Sequence, residues 1–176
     1  MELFEMKKYL SVALVLASMA SAPVFAESDR NGVYLGVKTG SLDVDVSGFD
    51  FDAPLGFFVG YEQGAWGVEL EVVSASGDLS LDGFGSTLNV GVDFDSLGIY
   101  GVYRAEGPVY VKLKGGFLRE EISGGTSIVG DFSESDSGLS LGIGVGARVS
   151  NFSVEAEYTL VEADINLFSV GLSVGF

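Results

Sequence analysis

The last nine residues of the chain, Phe168–Phe176, alternate strictly between apolar residues and serine or glycine. Successive side chains of a strand point to opposite faces, so this segment has one apolar face and one face with almost no side chains. The chain ends on an aromatic residue, whereas the termini of soluble domains are usually frayed and polar. We therefore interpret the segment as the last strand of a closed sheet whose apolar face contacts lipid.

The other end of the chain has the pattern of an export signal. Two lysines precede an apolar stretch from Tyr9 to Met19, and small residues lead up to Ala26 and Glu27. This is the order of a secretory signal peptide, and an anchor helix is disfavoured because the stretch is short for ~30 Å of hydrocarbon. We predict a signal peptide over 1–26, cleavage between Ala26 and Glu27, and one mature domain over 27–176.

Composition favours a membrane barrel over membrane helices. The chain is 47% hydrophobic and its mean hydropathy is +0.38. After residue 26 no segment approaches the ~18 uncharged apolar residues that a spanning helix needs. A closed barrel is the other structure that satisfies all backbone polar groups within lipid. The sequence therefore predicts an all-β, antiparallel, up-and-down transmembrane barrel.

Several residue types are missing or rare, and this restricts the chemistry. The chain has no cysteine and no histidine, so it lacks the commonest general base and metal ligand. We expect no disulfide, no cofactor and no catalytic residue. The formal net charge is −16. Nucleic-acid binding relies on cationic contacts to phosphate, so we expect no nucleic-acid partner.

Period-two patterning divides the mature chain into eight strand candidates. They are Gly32–Gly40, Leu55–Glu62, Trp66–Ser74, Ser96–Arg104, Val109–Leu118, Leu139–Val149, Phe152–Val161 and Ile165–Phe176. Most approach the ~9–11 residues of a tilted membrane strand. Eight such strands give an interior that side chains fill.

The connections between these candidates alternate between long and short. Residues 41–54, 75–95 and 119–138 are long, acidic and rich in glycine and serine. Outer-membrane barrels combine short periplasmic turns with long external loops, so we expect both termini in the periplasm and the acidic connections outside. A divalent-cation site in these connections is an alternative, although no segment has the spacing of a recognised calcium loop.

Because odd and even positions of a strand point to opposite faces, nearly all apolar strand residues fall on one face and the strand charges on the other. The predicted outward face has aromatic residues near one end, at Tyr61, Trp66, Tyr103, Phe152 and Phe176. The predicted inward face carries five basic and five acidic residues: Lys38, Glu62, Glu69, Glu71, Arg104, Lys112, Lys114, Arg148, Glu155 and Glu157. Isolated charges out of water are costly, so we predict that these ten residues pair across the lumen.

The whole mature chain resembles the small outer-membrane β-barrel family of eight-stranded OmpA-like and OmpX/Ail-like proteins. The resemblance lies in the signal sequence, the stretches 97–104, 142–148 and 154–158, and the aromatic last strand. It implies outer-membrane lipid, periplasmic chaperones and the barrel-assembly machinery as partners. It also implies that the last strand, with outward residues Phe168, Val170, Leu172, Val174 and Phe176, is the signal that the assembly machinery reads.

Three hypotheses compete for the function of this chain. The first is a non-enzymatic outer-membrane barrel with acidic surface loops and a structural or surface-interaction role, whose external ligand the sequence does not identify. The second is a narrow porin-like channel for small solutes or ions. A soluble lipocalin-like barrel is disfavoured because it would enclose ten charges or expose apolar residues on every strand.

Two local patterns suggest enzymes but fit the barrel better. The glycines at 142, 144 and 146 lack the last glycine of a nucleotide-binding loop and lie within a predicted strand. The pairs Glu69/Glu71 and Glu155/Glu157 could serve a glycosidase, but the basic residues on the same face favour structural ion pairs.

Overall fold

The computed structural model describes residues 31–44, 49–83, 86–126, 130–162 and 165–176, and in these ranges it is all-β. The strands are β1 (Asn31–Val44), β2 (Phe49–Phe51), β3 (Leu55–Gln63), β4 (Trp66–Gly83), β5 (Ser86–Arg104), β6 (Val109–Thr126), β7 (Gly130–Val149), β8 (Phe152–Glu162) and β9 (Ile165–Gly175). No helix in the described ranges is both long enough and apolar enough to span a membrane. The signal peptide and its cleavage site at Ala26 and Glu27 lie outside the described residues.

Eight of these strands close into an antiparallel barrel. Each pairs with its neighbours along the chain, and β1 closes the sheet by pairing with β9 from Tyr34↔Gly175 to Val44↔Ile165. The short strand β2 lies outside this cycle and pairs only with β4. The predicted fold class, an eight-stranded antiparallel up-and-down barrel, is confirmed.

Three tight turns and both ends of the described chain form one rim, which we call the turn rim. The turns lie at Gly64–Ala65, 105–108 and Ser150–Asn151, and both Gly64 and Ser150 have positive φ. The backbone N–H of Phe176 donates to the carbonyl of Val33 (2.9 Å), which fixes the last residue at this rim. Trp66 packs against Tyr103 across the β4–β5 ladder, with ring centroids 5.0 Å apart and ring planes tilted by 59°.

The opposite end differs from the sequence prediction, because two long connections predicted as loops are strand. The segment 75–95 is a hairpin in which β4 and β5 pair up to Gly83↔Ser86, and 119–138 is a hairpin in which β6 and β7 pair up to Thr126↔Gly130. The third connection, 41–54, contributes the end of β1 and all of β2. We call these residues, 41–44, 49–54, 74–83, 86–96, 119–126 and 130–138, the mouth extension, and the rest of the barrel the body.

The strands continue into the mouth extension because polar and apolar residues still alternate there. In β5 the outward residues are now polar and the inward residues are apolar, the reverse of the body. In β5 of the mouth extension, Asp93 and Asp95 point outward and are exposed, whereas Val92 and Phe94 point inward and are each 1% exposed. Phe94 belongs to an apolar cluster that crosses the border between the mouth extension and the body. Its members are Leu42, Val73, Ala75, Phe94, Tyr100, Val102, Leu118, Val161, Ile165 and Leu167, with Val44, Phe51 and Ile122 packed against it. Burial of this cluster favours strand over loop.

Candidate functional site: the charge network inside the barrel

The predicted inward-facing charges all point into the barrel body. Period-two spacing places three pairs on three different walls: Glu69 and Glu71 on β4, Lys112 and Lys114 on β6, and Glu155 and Glu157 on β8. The remaining four residues lie on four other strands: Lys38 on β1, Glu62 on β3, Arg104 on β5 and Arg148 on β7. Nine of the ten are buried, and the side chain of Arg148 is 24% exposed. We call these ten residues the charge network.

Arg104 is the centre of the part of the network nearest the turn rim. Its Nε lies 2.8 Å from Glu155 Oε1, its Nη2 3.0 Å from Glu69 Oε2 and its Nη1 3.3 Å from Glu62 Oε2. Arg148 holds the other oxygen of Glu62, with Nη2 2.8 Å from Oε1. One guanidinium therefore joins three strands across the lumen, as its planar fork of donors allows.

Two lysines and two glutamates form the part nearest the mouth. Lys114 Nζ lies 3.0 Å from Glu71 Oε2 and 2.7 Å from Glu157 Oε1. Lys38 Nζ reaches the same two carboxylates, at 2.6 Å from Glu71 Oε1 and 3.5 Å from Glu157 Oε1. The two positive and two negative charges balance within this group.

Lys112 connects the two parts. Its Nζ lies 3.2 Å from Glu69, 3.0 Å from Glu155 and 2.9 Å from Glu157. Among the described residues it is the only basic side chain with an ion pair to each part of the network. All ten charges predicted to face inward thus lie within ion-pair distance of an opposite charge.

Polar and aromatic residues that the sequence reasoning did not select complete the network. The Tyr34 hydroxyl donates to Glu69 Oε2 (2.9 Å) and accepts from Arg104 Nη1 (3.1 Å). The Tyr110 hydroxyl donates to Glu155 Oε1 (2.7 Å), and the Thr159 hydroxyl donates to Glu157 Oε1 (3.0 Å). The signal was present in the sequence, because these residues share the parity of the charged residues on their strands.

Glycines opposite these rings make room for them. Tyr34 lies beside Gly60 on β3, and a Cβ at that glycine would come within 2.2 Å of the tyrosine ring. Tyr110 covers Gly146 on β7 in the same way, at 2.5 Å. These inward glycines therefore leave space for large side chains from neighbouring strands, and the lumen is filled by side chains.

The network has the properties of a structural element. Its five positive and five negative charges balance, and its buried carboxylates contact Lys or Arg directly. The described part of the chain contains no group of three or more acidic residues, histidines or cysteines that could hold a metal ion. The glutamate pairs at 69/71 and 155/157 are used in ion pairs across the lumen.

The predicted assembly signal lies on the outer surface. Phe168, Val170, Leu172 and Phe176 are between 44% and 58% exposed on the outward face of β9, and Val174 is partly exposed on the same face. Their outward position agrees with the parity expectation, and their role in assembly stays a prediction.

The outward face of the body is apolar on every strand. Examples are Val68 (57% exposed), Ile99 (59%), Leu141 (59%) and Val154 (48%). Seven acidic residues of the described mouth extension lie exposed on strands instead of in loops, at Asp43, Asp78, Asp93, Asp95, Glu121, Glu134 and Asp136. Asp52 is exposed just after β2, and Glu120 on β6 is buried. A barrel whose body has an apolar outer surface and whose mouth is polar has the organisation that a lipid bilayer requires.

The comparisons with known proteins agree with this organisation. Residues 12–176 match the family described as "Outer membrane protein beta-barrel domain". No curated protein sequence shows a match to the chain. Among solved structures, Neisserial surface protein A superposes with a TM-score of 0.63 at 15% identity, covering 82% of this chain and 97% of that one.

Two further solved structures are similar. The N-terminal barrel domain of Pseudomonas aeruginosa OprF has a TM-score of 0.59 at 14% identity, covering 85% of this chain and 100% of that one. Ail of Yersinia pestis has a TM-score of 0.53 at 17% identity, covering 85% and 98%. At these identities the likeness shows a shared fold. With the family match over nearly the whole chain, it follows that the chain belongs to the outer-membrane β-barrel family and is an integral outer-membrane protein.

Proposed function

We propose that the protein is a non-enzymatic outer-membrane barrel with a closed lumen, whose role is structural and interactive at the cell surface through its acidic mouth extension. The observation that carries the proposal is the charge network. It joins opposite walls of the body through eleven ion-pair contacts, from 2.6 to 3.5 Å.

Two barriers in series argue for closure. An ion passing the body would have to displace buried pairs such as Lys112–Glu157 and Arg104–Glu155, and separating two buried opposite charges is costly. On the mouth side it would meet the apolar cluster around Phe94 and Leu118, which are 1% and 4% exposed. An apolar layer offers an ion no compensation for lost hydration.

We place both termini and the turn rim in the periplasm and the mouth extension outside the cell. Short turns on one side and long polar hairpins on the other support this orientation. Outer-membrane lipid contacts the outward apolar face of the body. Periplasmic chaperones and the barrel-assembly machinery act during biogenesis, with the last strand as the assembly signal and cleavage after Ala26 as the export step.

The charge of the surface restricts its external partners. Residues 27–176 contain seven lysines and arginines, and five of them belong to the charge network. Arg30 and Arg119 remain to attract anions, against many exposed carboxylates. Ail has been seen in complex with the heparin analogue sucrose octasulfate. The present surface has the opposite preference, for cationic or neutral partners.

Planar bilayers separate the closed barrel from a narrow channel. We expect the purified, refolded protein to insert without steady current steps. Arg104→Ala combined with Phe94→Ala, which removes a large side chain from each of the two barriers, should conduct. Heat-modifiable migration on gels checks that both proteins are folded. Steady conductance by the unmodified protein, of a size similar to that of the double variant, would replace the closed-barrel proposal with the channel.

A further inference from the structure

One long strand edge of the mouth extension has no partner in the described chain. The β7–β8 ladder begins at Leu141↔Leu160, whereas the β6–β7 ladder continues to Thr126↔Gly130. Within the described residues, β7 over 130–140 is therefore paired on its β6 side alone. An open edge of this length offers a row of free backbone donors and acceptors to an extended chain.

The geometry shows which backbone groups face the open side. The N–H of Arg148 donates to the carbonyl of Pro108, on the β6 side (2.7 Å), and the β6–β7 register then runs without a shift to Gly130. In an antiparallel ladder the direction of the backbone groups alternates with each residue. Even-numbered residues of β7 thus bond to β6, and Ser133 and Ser135 direct their N–H and C=O groups to the open edge. Ser137 lies on the same edge, but its N–H donates to Asp136 Oδ1 (2.7 Å), so this residue offers its C=O alone.

The side chains along this edge are small or acidic. All residues over 132–137 are exposed, and Glu134 and Asp136 lie on the face opposite the three serines. On the serine face, β6 places Glu121 opposite Ser135 and Arg119 opposite Ser137, and Glu121 accepts a hydrogen bond from the Ser133 hydroxyl (2.9 Å). Serines leave room for an approaching strand, and the negative charge of the edge comes from Glu134 and Asp136 on one face and Glu121 on the other.

A second copy of this chain is a poor occupant. Antiparallel pairing of β7 with β7 of another copy would bring Glu134 and Asp136 close to the same carboxylates of the partner copy, and like charges on facing strands destabilise a sheet. The same charges favour an incoming strand with lysine or arginine at alternate positions, because these side chains would lie beside the glutamate and aspartate.

We propose that the edge of β7 over 132–137 binds an extended cationic peptide segment of another protein by adding it as a strand to the sheet. The inference rests on the proposed surface role and narrows it to one edge and one class of partner. The backbone N–H and C=O groups of Ser133 and Ser135, with the C=O of Ser137, hold the segment, and the acidic side chains select its charge.

The test uses the full mature chain refolded in lipid nanodiscs and a fluorescent peptide of about ten residues that alternates lysine and threonine. We expect saturable binding by anisotropy, weakened as salt rises. Bound peptide should slow hydrogen exchange of the amides at 133 and 135 and leave the amides of the turn rim unchanged. Slowed exchange spread evenly over the acidic surface would overturn the proposal in favour of unspecific charge attraction.

Matched variants test the two parts of the proposal. Ser135→Pro removes an edge N–H and should weaken binding at least fivefold, whereas Ser135→Ala keeps the N–H and should bind like the parent. Glu134→Gln with Asp136→Asn should weaken binding about tenfold at low salt. Asp43→Asn with Asp52→Asn removes the same charge away from the edge and should have less than a twofold effect.

The outcomes also distinguish this inference from the proposed function. A protein that stays folded and closed in nanodiscs but binds no peptide, or binds it equally as Ser135→Pro and Ser135→Ala, overturns strand addition alone. A protein that conducts steadily in bilayers overturns the closed barrel, whatever it binds.

Discussion

The body and the mouth extension use the same period-two pattern with opposite polarity. In the body, the outward Ile99 is 59% exposed and the inward Glu69 is 1% exposed. In the mouth extension, the outward Asp93 is exposed and the inward Val92 is 1% exposed. Strand β5 runs through both regions, and its outward residues change from aspartate at 95 to leucine at 97.

The comparison shows that the surrounding solvent decides which face is buried. Lipid accepts apolar side chains, so the charges of the body have to pair inside; water accepts carboxylates, so the mouth extension buries its apolar residues as a soluble domain does. The two regions are stabilised differently, by ion pairs in one and by apolar packing in the other. Variants in each region test this difference.

The largest expected effect is on entry into the membrane. Phe176→Asp places a charge at the outward end of the last strand, where the aromatic ring is 53% exposed. We expect the amount of folded barrel in outer-membrane fractions to fall severalfold, whereas Ser173→Thr on the same strand should leave it near the parental level. Unchanged levels of Phe176→Asp would contradict the assembly role of the terminal strand.

The next effect concerns the ion pairs of the body. Lys112→Met leaves Glu69, Glu155 and Glu157 short of a cation, and breaking a fully buried pair costs about 3–5 kcal/mol, or less in a wet lumen. The unfolding midpoint in urea with lipid vesicles should fall. Arg119→Met, at the one basic position of β6 outside the charge network, serves as the control. Equal midpoints for the two variants would mean that the network does not stabilise the body.

A smaller effect is expected in the mouth extension. Val92→Thr keeps the side-chain shape but adds a hydroxyl to an apolar site, which costs about 1–3 kcal/mol. Hydrogen exchange of the β4–β5 hairpin should become faster while the body stays protected, because Val92 lies in the mouth extension, where this hairpin extends beyond the ion pairs of the body. Ser76→Thr retains the hydroxyl that donates to Asp93 (2.9 Å) and should leave exchange unchanged. Faster exchange throughout the barrel would show that the two regions unfold as one unit.

The sequence was sufficient for the fold and for the facing of the charges. Period two determines which residues share a face, so the positions of Glu155, Glu157 and their apolar neighbours follow directly. Strand borders at the turn rim also agree closely, since turn residues such as Gly64 and Pro108 mark them.

The sequence was misleading in the mouth extension, where outward strand residues are polar and inward ones are apolar. The acidic, serine-rich segments 75–95 and 119–138 have the composition of loops, and the buried valines at 90 and 92 are visible only as short interruptions. The pairing inside the network was also beyond the sequence. Which cation meets which carboxylate depends on the tilt and stagger of the strands, and parity does not specify these. The three partners of Lys112 are an example.

The balanced network also determines how neighbouring copies affect one another. Removing residues 1–26 removes two lysines and two glutamates, so the chain keeps its net charge of −16, and the ten network residues contribute nothing to it. Folding thus separates the charges: the five basic residues of the network lie inside the barrel, and the excess of carboxylates lies on the outer surface. Barrels crowded side by side in one membrane repel at their mouths over roughly 8 Å at physiological ionic strength. Their lateral spacing is therefore set by dissolved salt as well as by lipid.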